Sequence, residues 1–523
     1  LWEVTVTDVQ PLSGTWLEQR GLLRKSLRRV DVTFYLLCTL VGLDTIGSVA
    51  ANGPQGLVWM VVLAVVFFLP YGLLTAELGT AFPVEGGPYV WTKLAFGRFV
   101  AGVNQVLYWL SNPLWMGGTL AIIAVATFEK FFLPLGEVGR YAAGLVFIWT
   151  GVLAVAASLQ VGKWVPIAGA VARIVLLGFF TTSVVVYGLR NGVQPLSGAD
   201  FVPSYAGFVA LVPVLIFNYV GFELPSTATE EMTDPRKTVP FAILRSGIAS
   251  FLLYGGPILG ILLVVPADRI QGLGGFIDAC KAVLTVYGGS VAADGTVELT
   301  GAGAVLGSVC AAGLIIGVLT SGVSWAIGAH RAQAVACADG AGPAWLGHLS
   351  PRYGTPLRVN VLSGVLASIV LVTALSLTGG DSEKYFAAGL ALVISTTFIS
   401  YVITFPALLV LRRKLPDVER PFRAPAPRLI TFLTTGLVAY TVAVLIWPGL
   451  GVGWFGTDGT PDDSLPASFA GQREAYTLSQ VVPLLLVIGI GVLFYALGRS
   501  TRQRDAMSTS TPSSTRSSPK VKA

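Results

Sequence analysis

Runs of about 20 apolar residues, the length a helix needs to cross a hydrocarbon core, recur twelve times along the chain. They lie near 31–52, 56–82, 99–128, 141–160, 164–189, 206–230, 240–265, 303–334, 357–378, 386–411, 428–448 and 477–498. A segment in lipid has to satisfy its own backbone polar groups, so the expected fold class is all-α and integral to the membrane, with twelve transmembrane helices. Composition enters only to exclude the alternative. With 54% hydrophobic and 12% charged residues and a mean hydropathy of +0.72, no room is left for a separate soluble domain.

Lysine and arginine divide unevenly between the two sides that this topology creates. Of the 34, 26 fall on one side and 7 on the other, with Arg173 inside a span. Basic loops resist translocation, which makes the first side, with both termini, cytoplasmic. Residues 1–30 carry Glu3, Asp8, Glu18 and a basic cluster and read as a cytoplasmic segment without a cleavable leader. The expected location is therefore a bacterial-type cytoplasmic (inner) membrane. The net charge of +6 reflects this asymmetry and attraction to an anionic leaflet. The lipid bilayer is thus a partner and nucleic acid is not. Residues 499–523, rich in Ser, Thr, Lys and Arg, read as a disordered cytoplasmic tail. Outer loops near 266–302 and 449–476 read as caps on the external mouth. The four cysteines have no metal-binding spacing, so neither metal nor cofactor is expected; either Cys280 and Cys310 form a disulfide or all four thiols stay unpaired.

One stretch breaks the apolar pattern. VGLDTIGSVAANG, residues 41–53, puts Asp44, hydroxyl residues and three glycines inside the first span. A carboxylate there costs roughly 2.5–3.5 kcal/mol on insertion scales. Irregular backbone survives at membrane depth only where it lines a cavity or is buried in protein, so an unwound helix is the expected reason. A second interruption, FNYVGFELP at residues 217–225, lies five spans later. Paired breaks in corresponding positions of two halves point to a midplane site in an inverted-repeat transporter. Residues 31–190 and 206–411 would be the repeats, with spans 11 and 12 at 428–498 appended.

These stretches also carry a resemblance. The IGS turn at 46–48, AELGTAFPVEGGPYVW at 76–91, FNYVGFELPSTATEEMTDPRKTVP at 217–240, CADGAGP at 337–343 and LRRKLPDVERPFR at 411–423 resemble, in order and spacing, the amino acid–polyamine–organocation (APC) transporters. The resemblance covers nearly all of residues 25–430. It implies a leucine-transporter-like fold of 5+5 inverted repeats, broken in helices 1 and 6, with two extra helices. It further implies that Gly47 and Ser48 meet a substrate carboxylate while carbonyls near Asp44, Phe217 and Val220 meet its amine, with Thr45, Gly221, Phe222 and Trp325 in the same substrate-binding set. Half-helix ends independently favour that polarity, the N-terminal end being partially positive and the C-terminal end partially negative.

Three departures stand out: Val49 replaces a second glycine, Asp44 adds a carboxylate, and Arg173 replaces a lysine. Arginine does not lose its proton as lysine can. Asp44 and Arg173 read either as an internal ion pair or, for Asp44, as a receptor for a substrate amine or proton. Glu223 reads as the coupling site, with Arg173 beside it as a coupling or gating residue. Glu77, Glu230, Glu231 and Asp234 read as gate partners of Arg236 or Arg331, or as solvated charges. The expected function is secondary active transport of amino acids by alternating access, proton-coupled or by exchange, in a monomer or homodimer. A polyamine or cationic amino acid carrier is the alternative, and a transporter-like sensor without flux is another. Neither a catalytic residue set nor a phosphate-binding loop is found, so the chain does not read as an enzyme or an ATP-driven pump.

Overall fold

Ten helices among the described residues are long and apolar enough to cross a membrane. The computed structural model describes Leu12, Trp16, Gln19, Lys25 and residues 27–510, apart from 158–163, 267–269, 271–274, 293–295, 378–381, 455–459 and 467–468. Numbered by the order of expected spans, they are span 2 (Gln55–Ala81), span 3 (Arg98–Phe131), span 4 (Glu137–Ala156) and span 5 (Trp164–Asn191). Then come span 7 (Pro235–Val264), span 8 (Gly301–Ala338), span 9 (Leu357–Leu377), span 10 (Ser382–Thr404 with Ala407–Lys414), span 11 (Pro427–Ile446) and span 12 (Arg473–Leu497). The two spans missing from that set are the first and the sixth. Both are broken: span 1 is Arg29–Leu40 followed by Ile46–Ala50, and span 6 is Tyr205–Asn218 followed by a 3-10 segment, Leu224–Glu231.

Apolar side chains left exposed, such as Val65, Leu69, Leu244, Ile248, Leu252, Leu485 and Leu486, mark faces suited to an apolar surrounding such as lipid. Inside, helices approach closely where side chains are small. A Cβ added at Gly117 of span 3 would sit 2.1 Å from the Ala367 carbonyl oxygen of span 9, so that crossing admits glycine alone. The first half of span 1 lies among spans 5, 7 and 8. Spans 2 and 3 each contain a π-helical turn, Ala64–Phe68 and Met116–Leu120, a distortion often found beside functional sites.

The loops hold more structure than their composition announces. Pro88–Phe96 forms a helix between spans 2 and 3, and the outer loop after span 7 contains helix Gly275–Leu284 and a two-stranded hairpin pairing Gly289 with Leu299. All four cysteines are free and buried, so Cys280 and Cys310 are not bonded. The expected tail is corrected in part: residues Arg499–Ser510 are helical. Arg502 explains the order, donating to the carbonyls of Gly340 and Tyr495 at 2.5 and 2.7 Å and stacking over the Tyr495 ring. Residues 511–523 lie outside the described part.

Candidate substrate site at two matched helix breaks

The two interruptions share a four-residue pattern, Val41-Gly42-Leu43-Asp44 and Val220-Gly221-Phe222-Glu223. Helical structure lapses over residues 41–45 and 219–223. Glycine serves a different need in each. Gly221 has φ +130°, a conformation L side chains rarely adopt, whereas a Cβ at Gly42 would come 2.8 Å from Asp44 Oδ1.

Unwinding strips backbone groups of their helical partners, and a buried orphan costs about 1–3 kcal/mol. Two tyrosines offset this. Tyr254 of span 7 accepts from the Gly42 amide at 2.7 Å and donates to the Leu40 carbonyl at 2.8 Å. Tyr71 of span 2 accepts from the Gly221 amide at 3.0 Å and donates to Glu223 Oε2. Spans 2 and 7 are five apart, and each tyrosine is followed by glycine. The arrangement is crossed: a tyrosine in either half secures the break in the other.

Arg173 of span 5 is 1% exposed, yet it forms no ion pair with Asp44. Its Nε donates to the Val41 carbonyl at 2.7 Å, and its Nη1 to the Gly169 carbonyl, Thr320 Oγ1 and Cys38 Sγ. Its Nη2 donates to the Gly317 carbonyl at 2.6 Å and to Ser321 Oγ. The ion-pair expectation is therefore corrected. Arg173 does join span 1 to span 5, but through the carbonyl that the break frees, and it joins span 8 as well. The guanidinium fork reaches these dispersed neutral oxygens because its donors point in fixed, divergent directions.

A consequence follows for the substrate amine. The carbonyls at the C-terminal end of the first half-helix are already engaged: Thr39 by Trp325 Nε1 at 3.4 Å, Leu40 by Tyr254 and Val41 by Arg173. Thr45 Oγ1 donates to Gly42 at 3.3 Å. Asp44 adds a full charge beside them. Its Oδ2 accepts from Trp115 Nε1 at 2.8 Å, while its Oδ1 is buried without a hydrogen-bond partner among the described residues.

The ring that binds this carboxylate belongs to an aromatic cluster. Trp115 meets Phe217 edge-on at 5.8 Å and Trp325 edge-on at 6.1 Å, and Tyr108 lies 6.1 Å from Trp325. Asp44, Phe217 and Trp325 are thus brought together, with Trp115 as the connecting residue that sequence reasoning missed. Gly47 and Ser48 fall in the first turn after the break, and helix Gly275–Leu284 covers Gly47: a Cβ at Gly275 would be 3.3 Å from the Gly47 Cα. Val220 is buried in the second break. Phe222 points elsewhere. It stacks on Phe68 at 4.7 Å and floors an apolar, membrane-facing groove of about 460 Å³ between spans 2 and 7.

Glu223, 2% exposed, is held by three phenols from three spans. Tyr108 and Tyr401 donate to Oε1 at 2.6 and 2.8 Å, and Tyr71 donates to Oε2. Among the described residues no cation lies within ion-pair distance. Three O–H donors make a buried carboxylate tolerable.

At the arginine-rich end of the bundle Glu77, Glu231 and Asp339 are buried and paired, whereas Asp234 and Glu419 stay in contact with solvent. Glu77, 1% exposed, accepts from Arg412 Nε at 2.8 Å and from the Ala424 amide at 2.7 Å. Glu231 pairs with Arg331, Arg236 with Glu419 at 2.7 Å, and Asp339 with Lys93 at 2.6 Å. Asp234 caps span 7 by accepting from the Lys237 amide.

Comparison with known proteins places this geometry. The chain is 27% identical to a probable agmatine/putrescine antiporter of Lactococcus lactis, over 74% of this chain and 80% of that one. It is 23% identical to a branched-chain amino acid permease of Bacillus subtilis, over 81% and 89%. Its fold is similar to that of the Eremococcus coleocola manganese transporter solved with an aromatic bis-isothiourea substituted compound, with a TM-score of 0.56 at 12% identity, covering 94% of this chain and 96% of that one. The family model described as amino acid permease matches residues 27–455. With broken first and sixth spans, ten further membrane-length helices and a match over most of its length, the chain belongs to the amino acid permease family.

Proposed function

We propose that the chain carries an amino acid or related amine across the cytoplasmic membrane as a secondary active transporter, its arginine-rich end facing the cytoplasm. One observation carries the reading: a buried carboxylate oxygen, Asp44 Oδ1, stands at the first break without a hydrogen-bond partner among the described residues, while Oδ2 is held by Trp115, a ring packed against Phe217 and Trp325. An ammonium is the ligand that such a site favours, since it supplies the missing donor and is attracted by aromatic faces. Gly47 and Ser48, one turn on, take a carboxylate when the substrate has one.

A second reading, an amine lacking that carboxylate, is favoured by the same geometry. Three carbonyls of the first break, those of Thr39, Leu40 and Val41, are engaged by Trp325, Tyr254 and Arg173, which shifts recognition of the ammonium toward Asp44. The Lactococcus relative's substrates point the same way. Glu223 is the coupling site in this scheme. Protonation gives its carboxyl an O–H that needs an acceptor where three phenols now donate, so the hydrogen-bond network of spans 2, 3 and 10 has to rearrange around it.

Counterflow into proteoliposomes with neutral, acidic and cationic amino acids and with diamines tests both readings. Exchange of amino acids supports the first, and exchange of diamines alone supports the second. Exchange confined to anions overturns both, and ligand-induced stabilisation without flux identifies a sensor.

A further inference from the structure

The arginine-rich end is sealed around one side chain. Arg331, near the C-terminal end of span 8, is 1% exposed; its Nη1 donates to Glu85 at 2.7 Å and also to Glu231, and its Nη2 donates to the Gly354 carbonyl at 3.2 Å. Glu85 belongs to the 82–87 turn after span 2 and Glu231 ends the 3-10 segment of span 6; they are 0% and 3% exposed. The Glu230 amide donates to Glu85 Oε2 at 3.2 Å. The turn is wedged in place: Gly86 donates to the Thr227 carbonyl, and a Cβ at Gly87 would come 2.9 Å from Ser226 backbone. Leu27, just before span 1, is tied to the same strand of chain through Glu231 and Thr233. Spans 6 and 8 and the loops after spans 2 and 8 therefore meet at a single guanidinium, and the segment before span 1 is tied to span 6 beside it.

Among the described residues charge does not balance there. Two carboxylates share one guanidinium with almost no solvent, and a buried charge left uncompensated is costly. We propose that the Glu85–Arg331–Glu231 cluster is a proton-binding site, taking up one proton from cytoplasmic water when the inner seal closes and releasing it when the seal opens. This site is distinct from Glu223, and it rests on the transporter reading only in assuming that the seal opens. The added proton converts one carboxylate to a carboxylic acid, leaving a single carboxylate on the guanidinium, and hydration of the opened seal returns it.

The surroundings agree. Burial beside Glu231 and Glu230 pushes Glu85 up to about 8 despite the opposing pull of Arg331. The groups facing the cluster are Glu230 and Glu231 from the 3-10 segment, Arg331 from span 8, and Tyr35 from span 1, whose hydroxyl is engaged by the Ser324 carbonyl. Because the closed seal holds the proton more tightly than the open one, acid favours closure. The seal loosens as pH rises from the ordinary carboxylate range toward 8, by up to about tenfold per pH unit for one proton.

The test reads opening without flux, so its failure is distinguishable from failure of the transporter reading. Ala228, buried on the cytoplasmic side of the second break, is replaced by cysteine, and its alkylation by a maleimide is followed from pH 5.5 to 8.5. The parent protein, whose cysteines are buried, gives the blank. Rates are taken as ratios between otherwise identical proteins, so thiol ionisation cancels. The ratio of unaltered seal to Glu85→Gln should rise with pH, and the same should hold against Glu231→Gln, while Glu223→Gln leaves the rise intact. A flat ratio against either amide variant, in protein that remains monodisperse, overturns the proposal.

Discussion

The Tyr254 hydroxyl sits 2.7 Å from the Gly42 amide and closes the gap that unwinding leaves in the first span. The same oxygen donates to Leu40, so it replaces one lost donor and one lost acceptor. Tyr254→Phe keeps the ring and orphans both groups, at about 1–3 kcal/mol each. Thermal unfolding in detergent should show a lower midpoint, and Tyr71→Phe should resemble it because it frees the Gly221 amide. An unchanged midpoint in both variants would mean that water serves the breaks equally well.

Asp44→Asn preserves shape and an acceptor for Trp115 while removing charge. A charge-assisted hydrogen bond contributes about 1.5–3 kcal/mol, so affinity for an ammonium substrate should fall roughly 10- to 150-fold, read as the half-saturation concentration in counterflow. Affinity unaltered by this change would move the amine away from Asp44.

Glu223→Gln should abolish uptake driven by a pH gradient while sparing some exchange, because the amide cannot ionise and keeps the carboxyl's size. Tyr401→Phe removes one of the three donors and should shift the pH profile of uptake without abolishing it. A profile identical to the parent's in both variants excludes Glu223 from coupling.

Arg173→Lys should be nearly as damaging as Arg173→Ala. A single ammonium cannot span the Val41 carbonyl, the Gly317 carbonyl and the hydroxyls of Thr320 and Ser321 at once. Leaving several buried acceptors unmet should lower stability by about 2–4 kcal/mol, measured by thermal unfolding. A lysine variant with parental stability and transport would show that the fork is dispensable.

Spans were legible because lipid imposes length and apolarity residue by residue. Both breaks were legible because glycine, proline and carboxylates interrupt otherwise apolar runs. Their partners were not, since Tyr71, Tyr108, Tyr254 and Tyr401 lie 115–214 residues from the groups they bind, and an aromatic residue in a span looks like any other lipid- or helix-facing one. A signal was nevertheless present: the repeated Val-Gly-x-acid pattern at 41–44 and 220–223, with Tyr-Gly following on spans 2 and 7. Arg173 misled because opposite charges in one half of an apolar chain suggest pairing, whereas freed carbonyls can hold a guanidinium without a carboxylate. Trp115 was hidden for a similar reason; only its approach to Asp44 from span 3 distinguishes it.

The crossed tyrosines also order events during biogenesis. Gly42 and Tyr254 are separated by 212 residues, which at about 5–20 residues per second amounts to roughly 10–40 s of synthesis. Over that interval the first span is in lipid with no hydroxyl to take its amide, and an intact helix is then its cheapest conformation. The bond that closes the first break can therefore form only once the seventh span has been made, so that the ribosome delivers the hinge's two parts on separate occasions.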